Sequence, residues 1–176
     1  MSQPRPRYEP PQPEKLSFFK FSLKELLVVV VIVTIFAAII FPIFADATTR
    51  SRHVACLSNG KQLTIATQMY SKDYDDHLPQ ATSWYTGLQY YLTYPNQVCT
   101  LRTKSQGVGY AMDERLSGRS LEKIGASHAK RPLLYESSNF TPNAHDSGTS
   151  FAGRHKGTGW VGFVDGHVKG GFTTLP

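Results

Sequence analysis

The side chains able to do chemistry are few and scattered. His155, Asp165 and His167 gather in "RHKGTGWVGFVDGHVKGG" near the end of the sequence, and all three are metal-ligand types. Calcium takes about six to eight oxygen ligands, however, and imidazole is a poor one. Asp165-Gly166 also has another explanation, since β-prone runs flank it in the pattern of a hairpin turn. No metal is expected there. "KDYDDHLP" (Lys72 to Pro79) places three carboxylates within four residues but lacks the glycine and terminal glutamate of a calcium loop, so it reads as a solvated turn ending a helix. Histidines at 53, 77, 128, 145, 155 and 167 show no catalytic spacing. A nucleophile elbow, a phosphate loop, a dinucleotide fingerprint and His-Glu-x-x-His are all absent from the sequence. The expectation is a protein without enzymatic activity and with no cofactor. Tyr70, Tyr74, Tyr85, Tyr90, Tyr91 and Tyr94 are expected in core and subunit contacts.

Glu25 is the exception, because its surroundings make it costly. It stands at the lip of "FSLKELLVVVVIVTIFAAIIFPIFA", Phe21 to Ala45. Leu26 to Ala45 is 20 residues whose apolar character only Thr34 and Pro42 interrupt, and no charge falls among them. At ~1.5 Å per residue such a helix covers about 30 Å, the hydrocarbon thickness of a bilayer. A remainder of about 130 residues could hardly enclose a helix apolar on every face, and the run is longer than a cleaved signal's ~7–15-residue apolar core. A retained transmembrane helix is therefore expected. Glu25 then has two open readings. It neutralises a positive group on a neighbouring subunit, or it closes a capping box with Ser22 as N-cap.

Charge sets the orientation. Arg5, Arg7, Lys15, Lys20 and Lys24 precede the run, against Glu9, Glu14 and Glu25, and basic flanks stay cytoplasmic. The whole chain carries +6; residues 1–20 hold four basic and two acidic side chains, leaving 15 basic and 11 acidic residues beyond. A mildly basic head of this kind permits contact with nucleic acid without arguing for it, and none is expected. The expected order is a proline-rich cytoplasmic tail (1–20), a transmembrane helix (21–45), the external half of the same helix (46–76) and an external globular head (77–176). Cys56 and Cys99 then lie outside, where a pair tends to form a disulfide. Closing that loop would stabilise the fold by roughly 3–4 kcal/mol; two separate buried thiols are the alternative.

The elements that hold these residues follow from periodicity. A helix is expected from about 22 to 74, with Pro42 inside it, which removes one backbone donor and should kink it. Val54, Leu57, Ile65 and Met69 form its expected apolar stripe, with Leu63, Ala66 and Tyr70 beside it, and Gly60 as a weak spot. "SWYTGLQYYL" reads as a short helix, "GVGYAM" and "RPLLYES" as strands, "RSLEKI" as a helical turn, and 139–153 as a surface loop. In the final hairpin a two-residue Asp165-Gly166 turn sets Val164 opposite His167 and Phe163 opposite Val168. Val161, Phe163 and Val168 then share one face, and Trp160, Val164, His167 and Lys169 the other. The fold class is α+β, with a long N-terminal helix on a small antiparallel β-sheet.

The Phe21–Ala45 segment resembles the N-terminus shared by type IV pilins and type II secretion pseudopilins. Counted from Phe21, a glutamate stands fifth (Glu25) and a proline twenty-second (Pro42), as in that superfamily. "CLSNGKQLTIATQMYSKDYDDHLP", Cys99, "GRSLEKI" and the spacing His155-x9-Asp165-Gly166 resemble its prepilin-like branch with a C-terminal His-x9-Asp-Gly signature, and the likeness spans about Phe21 to Gly171. The resemblance implies a pilin-like fold and a bacterial inner-membrane location with the head in the periplasm. It also implies cleavage between Lys20 and Phe21 by a prepilin peptidase, methylation of the new amine, and assembly with other pilin-like subunits through Glu25. Two positions depart from the pattern. Lys20 stands where the family carries glycine, and Lys24 where it prefers an apolar residue. An uncut, membrane-tethered binding module is the alternative those departures leave open.

Overall fold

The computed structural model describes residues 22–93 and 107–176. The chain divides into two units at Ile43/Phe44. In the first unit the described residues are helical from Leu23 on, and the apolar side chains are exposed along the whole segment. No described residue covers them. Among the described residues this stretch belongs to the one helix long and apolar enough to cross a membrane.

The helix, α1 (Leu23–Asp73), runs within a residue of both expected ends. Its start is fixed by Ser22, whose backbone N–H donates to Glu25 Oε2 at 2.8 Å. That bond is the returning half of a capping box and satisfies a donor that the first turn leaves without a partner. Its end is fixed at Asp75 and Asp76, both in the left-handed region (φ 51° and 55°). Lys72 reaches Asp76 at 2.8 Å there.

In the second unit the later turns of α1 pack on a five-stranded sheet. The strands are β1 (Tyr110–Asp113), β2 (Pro132–Glu136), β3 (His145–Asp146), β4 (Gly159–Phe163) and β5 (Val168–Phe172), in spatial order β3-β1-β2-β4-β5. The expectation of an antiparallel sheet needs one correction. β3 lies within the stretch expected to be a loop and pairs with β1 in parallel, so the sheet is mixed. α2 (Trp84–Leu88) continues into a 3-10 turn at Gln89–Tyr91, and α3 (Leu121–Ile124) is a single turn. Ser83 gives α2 no side-chain cap. Asn143 supplies one from across the fold, its Oδ1 accepting from the N–H groups of Tyr85 and Thr86 at 2.8 and 3.0 Å.

Two apolar clusters cover the two faces of the sheet. Leu63, Ala66, Trp84, Leu88, Tyr110, Met112, Leu134, Trp160 and Val164 form the larger, on the side of the helices. Ala111, Tyr135, Ala144, Val161 and Phe163 form the smaller, with Phe151, Phe172 and Leu175 packed against it.

The buried stripe of α1 is only partly the expected one: Leu63 and Ala66 are buried and Leu57 and Tyr70 pack on the core, but the rest of the stripe is rotated. Val54, Ile65 and Met69 are 64%, 44% and 49% exposed, whereas Cys56, Gly60, Leu63, Thr64, Ala66, Thr67 and Ser71 are buried. Close approach explains this choice. A Cβ at Gly60 would lie 2.6 Å from the indole of Trp160, so the helix can sit down on β4 only through small residues. Gly60 is the contact itself, not a weak spot. Of the tyrosines, Tyr85 is buried and Tyr70 and Tyr91 pack on the core, while Tyr74 and Tyr90 are exposed; Tyr94 lies outside the described residues.

The final hairpin forms with a different turn. Gly162 pairs with Val168, and Phe163 N–H donates to His167 O at 2.9 Å, leaving three loop residues, Val164, Asp165 and Gly166. Gly166 takes φ 92°, the left-handed position that a three-residue hairpin loop requires. The extra residue moves β5 by one, which flips every side chain on it. Val168 therefore packs beside the larger cluster, and His167 stacks on Phe163 with ring centroids 4.3 Å apart, the reverse of the expected faces.

Candidate functional site

The densest polar cluster of the head is built around Glu136. β2 is buried along its whole length, and alternation from Leu134 turns the Glu136 side chain toward the helices. The residue is fully buried. Arg154 Nε donates to its Oε1 at 3.0 Å, and His155 Nε2 stands 3.2 Å from the same oxygen. Arg154 also donates to the carbonyls of Ser137 (2.6 Å) and Gly109 (2.5 Å) and lies over the Phe140 ring at 5.2 Å. One guanidinium thus ties the start of β1, the end of β2 and the segment before β4. Its planar fork suits that work better than an ammonium would.

His155 is only 4% exposed and stacks on His53 of α1, with centroids 4.7 Å apart. It opens a two-residue turn in which His155 and Thr158 exchange backbone hydrogen bonds of 2.9 and 3.1 Å. Lys156 and Gly157 between them both have positive φ, 54° and 83°, the type I′ geometry. The turn aims Lys156 at α1, where its Nζ meets Asp46 Oδ1 at 2.6 Å. Arg50 Nε meets Asp46 Oδ2 at 2.9 Å, and these two cations hold the Asp46 carboxyl below its usual range.

Could this cluster hold a metal? Cys56, Glu136 and His155 offer ligand atoms within 4.8 Å of one another. Glu136 already faces the Arg154 guanidinium, and a dication at the same carboxylate would meet that fixed positive charge. The donor set suits an internal ion pair better. The hairpin trio also separates. Asp165 Oδ1 accepts from His167 at both Nδ1 (2.6 Å) and the backbone N–H (3.1 Å), while His155 turns to Glu136 and His53. Burial raises the Asp165 pKa but the His167 contacts outweigh it, so the carboxyl titrates below its usual value. Gly166 O accepts from Lys61 Nζ at 2.8 Å, and Gln68 donates to Val164 O, so the hairpin tip is tied to α1.

Of the residues expected to process and assemble the chain, Glu25 makes the cap described above and Pro42 lies inside α1. Lys20, Phe21 and Cys99 lie outside the described residues. Cys56 is buried against Trp160's side of the sheet.

Sequence reasoning missed Glu136, Arg154, His53 and the Asp46–Lys156 pair. Only one signal was legible for any of them: a carboxylate ending the apolar run "PLLYE" must be paired if that strand is central. It also missed a cleft of about 540 Å³ lined by Arg115, Arg119, Lys123, Lys130 and Arg131, with Leu116, Ile124 and Pro132 among its apolar lining. Asp113 pairs with Arg115 at 2.7 Å. The other four cations are exposed and make no salt bridge among the described residues.

Compared with protein-family models, curated proteins and solved structures, the chain matches none.

Proposed function

We propose that the chain is a structural, pilin-like subunit of a bacterial type II secretion or type IV pilus-type assembly, anchored in the inner membrane by the apolar part of α1. One observation carries the reading. Every large apolar side chain from Leu26 to Phe44 is exposed, and a single carboxylate, Glu25, stands at the start of that helix. A soluble protein would bury such a surface, and a carboxylate at the bilayer edge, with one oxygen engaged in its own helix cap, calls for a positive partner at the other. Lipid and neighbouring helices satisfy the first demand, and a neighbour's positive terminal amine satisfies the second. The head then projects into the periplasm and presents surfaces to partner subunits; it catalyses nothing and uses no cofactor. The prepilin peptidase is the enzyme that acts on it.

A second reading has its own support. Lys20 stands where the processed family carries glycine, and the head bears the basic cleft. An uncut chain would be a tethered binding module. Mass spectrometry of the membrane-extracted protein separates the two: a mature chain starting at a methylated Phe21 supports assembly, and a chain starting at Met1 or Ser2 supports the tether.

A further inference from the structure

A second pocket, of about 230 Å³, lies where α1 meets the His155–Thr158 turn, and the residues lining it are all of polar or charged type: Thr49, Arg50, His53, His155 and Lys156. Thr49, Arg50 and His53 share one helix face by their i, i+3 and i, i+4 spacing. The His155–Thr158 turn supplies the other two residues. Among the described residues Asp46 is the only acid paired with either outer cation, so one carboxylate serves two positive side chains. Arg50 donates to it through Nε, and its terminal fork makes no hydrogen bond among the described residues. Inside, His155 is almost wholly buried, yet its Nδ1 has no hydrogen-bond partner among the described residues. A polar nitrogen left in that state costs free energy unless something fills the need. Lys156 itself sits at φ 54°, where glycine or asparagine is the usual choice, so its side chain is retained there against backbone preference.

We propose that this pocket binds a phosphate group, taken from the headgroup of an anionic membrane lipid. A phosphate oxygen set matches the donors present, a guanidinium fork and an ammonium, together with His155 Nδ1–H when both ring nitrogens carry hydrogen, since Nε2 faces Glu136. The Thr49 hydroxyl donates to Ala45 O at 3.1 Å and lines the wall. Position supplies the source. Thr49 follows the last apolar residue of the run, Ala45, by four residues, which limits its distance from the hydrocarbon edge to under ~15 Å even for extended chain. As helix the rise is ~6 Å, and the headgroup layer is about 5–8 Å deep. The site rests on the membrane-anchored reading for the origin of the phosphate, not for the anion chemistry. The buried His155 thereby gains a ligand.

Native mass spectrometry of the full chain in detergent tests this, with added phosphatidylglycerol, phosphatidylcholine or inorganic phosphate. One phosphatidylglycerol should be retained, at least tenfold more than phosphatidylcholine, whose choline faces Arg50 and Lys156. Millimolar phosphate should displace it. R50A/K156A should lose retention, and so should T49F, which fills the pocket while leaving every charge in place. Circular dichroism melts matching wild type establish that both variants fold. Retention by T49F equal to wild type would reduce the effect to surface charge and overturn the site. Equal retention of the two lipids would do the same. Phosphate binding without lipid retention would keep the anion pocket and overturn the lipid as its source. Alkaline extraction of cell membranes is run in parallel. A chain released without detergent defeats the membrane reading, while phosphate binding by that soluble chain remains readable.

Discussion

Asp146 shows how one side chain can hold a surface segment. Its Oδ1 accepts from Tyr135 OH (2.6 Å) and from the N–H groups of Gly148 (2.7 Å) and Ser150 (3.3 Å), and its Oδ2 accepts from the Ser150 hydroxyl. Burial would raise the Asp146 pKa, but the Ser150, Tyr135 and Gly148 donors outweigh it and hold the value at about 2. The same pair, with burial first, pushes the Tyr135 phenol well above its ordinary value. A carboxyl with a depressed folded pKa adds stability above its unfolded pKa of ~3.9, and that contribution disappears as pH falls toward 2. Thermal melts from pH 6 to pH 2 should therefore show wild type losing stability across pH 4 to 2. Asp146→Asn should melt lower than wild type at pH 6 and converge with it at pH 2. Parallel curves for the two proteins across this range would remove Asp146 from the acid response. Glu136 belongs to the same scale but to a different regime. It is fully buried, so its ion pair with Arg154 serves to satisfy a charge and fix three segments, and adds little net stability of its own.

Among the elements, α1 and β4 meet where a glycine of one faces a larger side chain of the other, Gly60 against Trp160 and Gly162 against Thr64. Gly60 faces the Trp160 indole, whose ring also packs on Tyr110 at 5.1 Å between centroids. Gly60→Ala sets two effects against each other. Alanine favours the helix by ~1 kcal/mol, while its Cβ would stand 2.6–2.7 Å from three carbons of Trp160. Three carbons of a ring locked in the core cannot move aside cheaply, and overpacking costs typically ~1–3 kcal/mol. The clash wins, so urea denaturation of G60A should show a midpoint below wild type. A raised midpoint would mean that α1 can lift from the sheet. The hairpin teaches a related lesson. Asp165-Gly166 marked a turn correctly, but its residues fit a three-residue loop as well as a two-residue one. Lys61 and Gln68 bond to Gly166 O and Val164 O, and these contacts from α1 favour the longer loop.

For the whole molecule, the proposal turns on how copies meet. Glu25 is exposed at its own helix start and already accepts one backbone donor, leaving a carboxylate oxygen for a neighbour's ammonium. Glu25→Lys would place like charges together at the edge of the bilayer, where screening is weak and desolvation is costly. The head of E25K should stay folded, and cysteine cross-linking between membrane-embedded copies should fall to background. Cross-linking at the wild-type level would defeat the assembly role. By itself the sequence determined whatever depends on neighbours in the chain: the 20-residue apolar run, the cap at Ser22, the helix from 23 to 73, and the places of α2, β1, β2 and the final turn. Those features follow from short periods and from residues a few positions apart, which any chain carrying them must obey. Only the tertiary structure decided which face of α1 is buried, the register of β5, the parallel edge strand β3 and the joining of Glu136 to Arg154 and of Asp46 to Lys156. Each of these depends on the fit between segments far apart in sequence, where volume, reach and the need to pair buried charge choose among patterns that local periodicity leaves equal.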